Sequence, residues 1–289
     1  MLHRSGTRIC INMQSTLPLF APSPTTFDLH LGDCVKGMRG LPDSSIAVVV
    51  TSPPYNLGIK YRSFADNGAR SAHIAWCMEW GTEIRRLLKP EGSLFLNVGS
   101  SPTNPMFPFE IAMAFSSLFA MQNVFHWIKS VTIKSAQHGQ ISAGHFKPLN
   151  SKRFVNDCHE FVFHFTPTGN TPLDRLAIGV PYADKSNVAR FAHTGGQDKR
   201  CRGNVWHIPY KTITSRDKDR PHPATFPVEL AENCFRIHGN MEAAVGLDPF
   251  LGLGHAAVAA RNCHLTRFIG FEIDPGYLDE AKATLGEGQ

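Results

Sequence analysis

The run Ile46-Ala47-Val48-Val49-Val50 contains no polar residue, and after Thr51 it meets Ser52-Pro53-Pro54-Tyr55. Three consecutive valines inside a short apolar run read as a strand buried on both faces, the mark of a parallel sheet. Two prolines end it, because each fixes φ and removes a backbone donor. Parallel neighbours cannot be joined by a tight hairpin, so the chain must supply crossover helices on either side of this strand.

The rest of the chain supplies them. FDLHLGD (27–33) alternates like a strand and is followed by the short helix-like VKGMRGL. HIAWCMEWGTEIRRLL (73–88) has apolar residues at helical spacing, and Lys89-Pro90-Glu91-Gly92 stops it. SLFLNVGS reads as a strand, FEIAMAFSSLFAM as a helix, and NVFHWIKSVTI and HEFVFHFT as two strands separated by a polar stretch, 134–157. From Thr166 to Arg220 the periodicity fails, and Pro, Gly, Asn and basic residues dominate. TFPVELAENCFRIHG predicts a helix with Pro227 at or near its first turn and Gly239 after its end. Ala243–Leu247, the turn and helix in LGLGHAAVAA, and FIGFEID complete a strand-helix-strand unit. The expected fold class is α/β: a doubly wound, mostly parallel sheet carrying a small irregular insert.

A chain of 289 residues with 42% hydrophobic content can bury a substantial core. No apolar run approaches the roughly 18 residues of a membrane span, and the N-terminal residues lack a signal-like apolar centre, so a cytoplasmic protein is expected. The cysteines Cys10, Cys34, Cys77, Cys158, Cys201, Cys234 and Cys263 form no C-x-x-C pair, and His159, His164, His222 and His238 lack ligand spacing. Reduced thiols and no metal are expected. The net charge of +5 is unevenly placed: Lys129 to Arg220 holds 15 Lys and Arg against 7 Asp and Glu. A localised basic region is the footprint of a polyanion binder, although a solvated loop surface also produces one.

Two segments carry candidate chemistry. In VGLDPFLGLGHAAVAA a strand runs into Asp248-Pro249-Phe250, then Gly252-x-Gly254, then a helix, and the following strand ends in Glu272. Glycines let a ligand approach the backbone at a helix N-terminus, and an acidic residue at the end of the next strand can accept from ribose hydroxyls. Ala257 replaces the third glycine of the dinucleotide fingerprint, which favours an adenosine ligand without phosphates; packing of a helix on a strand is the plainer reading of the same glycines. At the other segment, the Ser52 hydroxyl and the rigid Pro53 carbonyl can each accept one hydrogen of an exocyclic amino group, while Tyr55 offers a ring face to the base. Stacking of about 1–3 kcal/mol is comparable to the cost of extruding a base from a duplex. A simple Pro-Pro turn with Tyr55 in the core is the plainer alternative.

Taken together, the residues resemble the S-adenosylmethionine-dependent DNA amino-methyltransferases, which act on N4 of cytosine or N6 of adenine, in the permuted arrangement called the β class. Ser52-Pro53-Pro54-Tyr55 precedes the basic region, which precedes Asp248 to Gly254, and the likeness runs from about Phe27 to Ala283, through LKPEGSLFLNVG, HPATFPVELAENCFRI and FEIDPGYLDEA. The resemblance implies a Rossmann-like class I methyltransferase fold with permuted motif order, S-adenosyl-L-methionine as cofactor, double-stranded DNA as partner, and base flipping. Residues 1–24, polar, proline-containing and without period, read as a flexible tail; the resemblance further implies a catalytic half at 25–165, a target-recognition region at 166–220 that the basic loop 134–157 joins, and a cofactor-binding half at 221–289.

By the same resemblance the catalytic residues are Ser52, Pro53, Pro54 and Tyr55. The cofactor-binding residues are Asp33, Cys34, His222, Pro223, Thr225, Phe226, Pro227, Asp248, Pro249, Phe250, Gly252, Gly254, His255, Glu272 and Ile273. His255 departs from the Thr or Ser usual after the second glycine. Candidate DNA contacts in the basic region are Lys147, Lys152, Arg153, Lys199, Arg200 and Arg202, with His193 and Gln197 as base readers. Serine at the first motif position points to cytosine N4, with adenine N6 as the alternative. Cytosine C5 chemistry is disfavoured because no Pro-Cys pair occurs. A non-catalytic nucleic-acid-binding module and an RNA methyltransferase are weaker readings. A homodimer, a separately acting restriction endonuclease and association with a bacterial or archaeal nucleoid are partners and setting that the family allows.

Overall fold

A computed structural model describes residues 24–135, 139–143, 150–155, 157–191, 195–209 and 225–286. Strands β1 (Thr26–Leu31), β2 (Ile46–Thr51), β3 (Leu88–Val98), β4 (Ala120–Ser135), β5 (Gly139–Ala143), β6 (His159–Thr166), β7 (Val205–Pro209), β8 (Val245–Asp248) and β9 (Arg267–Glu272) form one sheet. Its order is β1-β9-β8-β2-β3-β6-β4-β5, and β7 pairs with β4 beside β5. The first five strands in that order are mutually parallel; β6 runs against β3 and β4, and β5 against β4.

Helices α1 (Cys34–Arg39), α2 (Arg70–Leu87) and α3 (Phe107–Phe115) cover one face, and α5 (Val228–His238), α6 (His255–Asn262) and α7 (Pro275–Leu285) the other; the short α4 (Ser186–Arg190) contributes no buried residue. The valine run shows why both layers exist. Val48 and Val50 pack with Leu230, Ala256 and Leu278 in one core cluster, whereas Ile46 and Val49 pack with Trp80, Ile84 and Phe115 in the other. All six residues of β2 are buried, as a strand between two helical layers requires.

From β2 the chain crosses through α2 to β3 on one side, and from β8 it crosses through α6 to β9 on the other. The sheet therefore reverses its winding between β8 and β2. In open α/β sheets a ligand crevice opens at this reversal, beyond the carboxyl ends of the strands.

The structure adds elements where periodicity was too short to see. β5 lies within the polar stretch 134–157, and α4 and β7 lie within the segment expected to be irregular. β7 alternates exposed Val205, His207 and Pro209 with buried Trp206 and Ile208. Five residues carry that alternation, and it becomes decisive only once Trp206 stacks on Phe125, with ring centroids 4.4 Å apart. Conversely, β3 begins at Leu88, because Leu88 pairs with Ile46 before a bulge passes over Lys89 to Gly92.

Two histidines, His164 buried and His238 half-buried, flank Ser93 away from the crevice. His164 Nε2 and His238 Nδ1 each lie 3.0 Å from Ser93 Oγ, and Asn123 Nδ2 is 3.0 Å from His164 Nδ1. Burial, with His238 nearby, pushes His164 down to about 3; burial, with Lys89 nearby, pushes His238 down to about 4. An unfolded histidine titrates near ~6.5. Below that pH the unfolded chain binds protons that the folded pair refuses, so stability from this pair is complete above about pH 7 and is lost as pH falls toward about 4. Urea unfolding between about pH 7.5 and about pH 5 should show a shallower loss for His238→Gln, by close to one proton, than for the unaltered chain. Equal slopes would show that the pair does not carry the effect.

Candidate active site

Both sequence segments arrive at the crevice. β2 and β8 are neighbours, with Val48 opposite Gly246 and Val49 opposite Leu247, so the prolyl turn and the glycine turn leave the sheet side by side. Thr51 Oγ1 donates to Asp248 Oδ1 at 2.7 Å, and Phe250 N–H donates to the same oxygen at 3.0 Å. Asp248 Oδ2 is buried without a partner among the described residues. Burial pushes this carboxyl up to about 7, against the two hydrogen bonds that favour its charged form.

On the β9 side of Asp248, Gly252 and Gly254 have φ of 53° and 79°, the left-handed region that glycine enters without strain. Gly254 precedes α6, and a side chain there would meet Ala281 of α7 at 3.1 Å. Gly252 N–H donates to Glu272 Oε2 at 2.8 Å, and Asp274 N–H to Glu272 Oε1 at 2.8 Å. Burial raises the Glu272 carboxyl above the usual carboxylate range, again opposed by these donors. Asp33 caps α1 by accepting Lys36 N–H at 2.9 Å, and Gly32 N–H reaches Glu272 O at 2.8 Å, so β1 and β9 end together. Cys34 is buried at the first turn of α1, and burial pushes its thiol up to about 12. Ile273 is exposed beside Glu272.

Phe250 packs its ring between Trp76 and Trp80 of α2, each centroid 5.4 Å away. Pro249 is buried beside it. His255 Nδ1 lies 2.6 Å from Phe226 O, so the residue that departs from the family pattern ties α6 to the segment entering α5. Thr225 and Pro227 are half-buried in that segment, and His222 and Pro223 lie outside the described residues.

On the other side of Asp248, the prolyl turn rests on polar side chains, Asn97, Glu160 and Lys129, that were not among the candidate site residues. Ser52 Oγ is 2.7 Å from Tyr55 Oη. Tyr55 Oη is 3.1 Å from Glu160 Oε2 and 2.8 Å from Asn97 Nδ2, and Asn97 Nδ2 is 2.6 Å from Glu160 Oε2. Lys129 forms an ion pair with Glu160 Oε1. Burial and the Glu160 charge hold the Tyr55 hydroxyl well above its ordinary range. Gly99 permits the arrangement, since a Cβ there would sit 2.9 Å from the Tyr55 ring and 3.0 Å from the Glu160 carboxyl carbon. Asn97 in LFLNVG and Glu160 in HEFVF are polar residues inside or at the start of apolar strands, and that was their only sequence signal.

The loop after Tyr55 is wound around one carboxylate. Asp66, 3% exposed, accepts the N–H groups of Asn56 at 2.6 Å and of Leu57 and Ile59 at 3.0 Å. Farther along, Ser63 Oγ donates to Asp274 Oδ2 at 2.6 Å, and the Arg62 guanidinium lies 4.6 Å over the Tyr277 ring. His73 of α2 is buried with its ring 5.6 Å from Phe107, and burial lowers its basicity.

The basic candidates lie elsewhere. Lys152 and Arg153 are exposed, Arg153 lying 4.5 Å over the Phe154 ring. Gln197, Lys199 and Arg200 are exposed on a segment held by the Val180–Arg200 bridge, and Arg202 is half-buried. Lys147 and His193 lie outside the described residues.

The crevice thus has a buried acid at its centre, a glycine turn on one side and a braced prolyl turn on the other, within a doubly wound α/β sheet. The match to a protein family described as DNA methylase, covering N6 and N4 methylation, extends over residues 46–283. The chain belongs to this family: it is a DNA methyltransferase that uses S-adenosylmethionine. Among its relatives, the type II methyltransferase M.BglII of Bacillus subtilis is 25% identical over 276 residues, spanning 93% of this chain and 72% of that protein. The solved PvuII DNA methyltransferase (cytosine-N4-specific) superposes with a TM-score of 0.64 at 19% identity, over 89% of this chain and 87% of that one. The Thermus thermophilus protein TTHA0409, a putative DNA modification methylase solved with S-adenosyl-L-methionine, gives 0.61 at 23% identity, over 91% and 94%.

The buried Thr51–Asp248 contact joins the two halves of the crevice, which makes it a direct test. Thr51→Val removes the hydroxyl at nearly constant volume and leaves a buried carboxylate short of a donor. Urea unfolding at neutral pH should show a loss of about 1–3 kcal/mol, with Thr51→Ser restoring most of it. A loss equal for both variants would assign the effect to packing.

Proposed function

We propose that this chain methylates the exocyclic N4 of a cytosine flipped out of duplex DNA. The observation that carries the reading is the hydroxyl of Ser52, at the carboxyl end of β2 one residue beyond the contact with Asp248. When bound, S-adenosylmethionine supplies an electrophilic methyl group on sulfonium. The donor set fits such a ligand: Asp248 has an unused buried oxygen suited to an ammonium group, and Glu272 has lone pairs left for ribose hydroxyls. Asp33 stands at the adenine end, and Thr225, Phe226 and Pro227 on the approach to the amino-acid end.

An exocyclic amine is a weak nucleophile because its lone pair is delocalised into the ring. In this reading the Ser52 hydroxyl and the Pro53 carbonyl each accept one amino hydrogen and turn the nitrogen lone pair toward the crevice, while Pro54 stiffens the turn and Tyr55 flanks the base. Orientation and fixed dipoles then provide the catalysis without a covalent intermediate. In this reading the described parts of 134–157 and 166–220 contribute to target recognition, with the exposed cations of Lys152, Arg153, Lys199 and Arg200 facing phosphates.

Two measurements test this. Digestion of methylated duplex DNA to nucleosides and mass spectrometry should give N4-methylcytosine; N6-methyladenine would overturn the choice of base. The double variant Lys199→Ala/Arg200→Ala should lower the slope of log affinity against log salt by about 1–2 if both cations meet phosphates. An unchanged slope would remove them from the interface.

A further inference from the structure

The cluster beneath Tyr55 contains more order than a braced turn needs. Glu160 stands near the start of β6, 8% exposed, across from Trp127 and beside Gly99. As a carboxylate paired with the Lys129 ammonium it has only lone pairs to offer, so every hydrogen in its contacts comes from a partner. Asn97 Nδ2 supplies one at 2.6 Å. Tyr55 has a single hydroxyl hydrogen and three acceptors within reach, Ser52 Oγ at 2.7 Å, Glu160 Oε2 at 3.1 Å and the Asn97 backbone carbonyl at 3.2 Å, of which only Glu160 is charged. The charged acceptor is the stronger one, so the Tyr55 hydrogen goes to Glu160.

That choice fixes the next one. With its hydrogen committed, Tyr55 Oη can only accept, from Asn97 Nδ2 at 2.8 Å and, in the 2.7 Å contact with Ser52, from the Ser52 hydroxyl. The Ser52 hydrogen then points into the protein and its lone pairs point away. One of them meets Asn97 Nδ2 at a long 3.3 Å, and the other is unused. Reversing the order would place a hydroxyl hydrogen against an amino hydrogen of the substrate.

We propose that Glu160, ion-paired with Lys129, is a positioning residue that acts through Tyr55 to keep the Ser52 hydroxyl facing the target amino group as an acceptor. The proposal rests on the amino-methyltransferase reading of Ser52 and not on which base is methylated. The Lys129–Glu160 pair is thus a fixed electrostatic anchor, one strand removed from the reacting atoms, whose effect reaches them as the direction of one hydrogen bond.

Glu160→Gln keeps the volume but lets an amide N–H donate to Tyr55, which frees the chain to run backwards. The single-turnover methylation rate should fall about 10–100-fold, the range of a lost charge-assisted hydrogen bond, while binding of S-adenosylmethionine by calorimetry and KM for DNA change less than about twofold. Tyr55→Phe removes the middle hydroxyl and should lose a similar factor. In the double variant the losses should not multiply, because both changes break one chain. Full activity in Glu160→Gln, losses that multiply, or a defect confined to cofactor or DNA binding would each overturn the proposal. Should Glu160→Gln fail to fold, Tyr55→Phe decides alone, and an unimpaired rate in it overturns the proposal. Nucleoside analysis of the same reactions keeps the two questions apart, since N6-methyladenine as product would end the cytosine reading while leaving the rate comparison intact.

Discussion

The site depends on one junction, the pairing of β2 with β8 at the point where the sheet reverses its winding. Strands far apart in the chain meet there, and their ends are tied by Thr51 and Asp248 across 197 positions of sequence. Helices depart to opposite faces from this junction, which leaves a gap above the strand ends. Everything with polar character near the gap is arranged relative to it. Asp248 occupies the centre, the glycine turn and Glu272 lie toward β9, and the prolyl turn, Asn97 and Glu160 lie toward β6.

The two sides use buried carboxylates differently. Asp248 accepts one hydroxyl and one backbone N–H, Glu272 accepts two backbone N–H groups, and neither has a cationic side-chain partner among the described residues; burial raises both carboxyls. Their charge is therefore incompletely compensated by the protein, a condition that favours a cationic, hydroxyl-rich ligand. Glu160 is compensated by Lys129, a partner of this chain. A paired carboxylate of this kind has little affinity to spare for a ligand, and its value is directional: it dictates how neighbouring hydroxyl groups place their hydrogens. In the proposed reading, this contrast suits one side of the crevice to a cationic ligand and the other to ordering neutral groups.

Much of this was legible in the chain, and the limits are physical. The apolar run at Ile46–Val50 announced a doubly covered strand, and its residues do divide between the two core layers, alternating from Val48 to Val50. The spacing from Gly252 to Glu272 announced a turn and an acidic strand end, and a hydrogen bond joins the two. What stayed hidden were contacts that depend on register between distant strands. Asn97, Glu160 and Lys129 lie on β3, β6 and β4, and nothing local tells a reader that the antiparallel entry of β6 brings Glu160 level with Gly99. β7 was missed for a related reason: five alternating residues mean little until Trp206 finds Phe125. Phe250 shows the opposite limit, since its place in a ligand-associated motif did not reveal that its ring would pack on two tryptophans of α2.

The loop that leaves the prolyl turn couples the two sides of the crevice a second time. It starts at the end of β2, is folded around Asp66, and lands on α7 through Ser63 and Arg62, so it passes over the end of β8. A flexible connection of this length would keep its amides in water, whereas three of them are consumed by a single buried carboxylate. The loop's shape is therefore set from within, and its far end is anchored at Asp274, two residues beyond Glu272. Because Asp274 also caps α7 by accepting the N–H groups of Gly276 and Tyr277, that anchor belongs to a helix terminus and not to a mobile side chain. Geometry at the prolyl turn and geometry at the glycine-turn side are thus joined twice, beneath the crevice by Thr51 and Asp248 and above it by this loop.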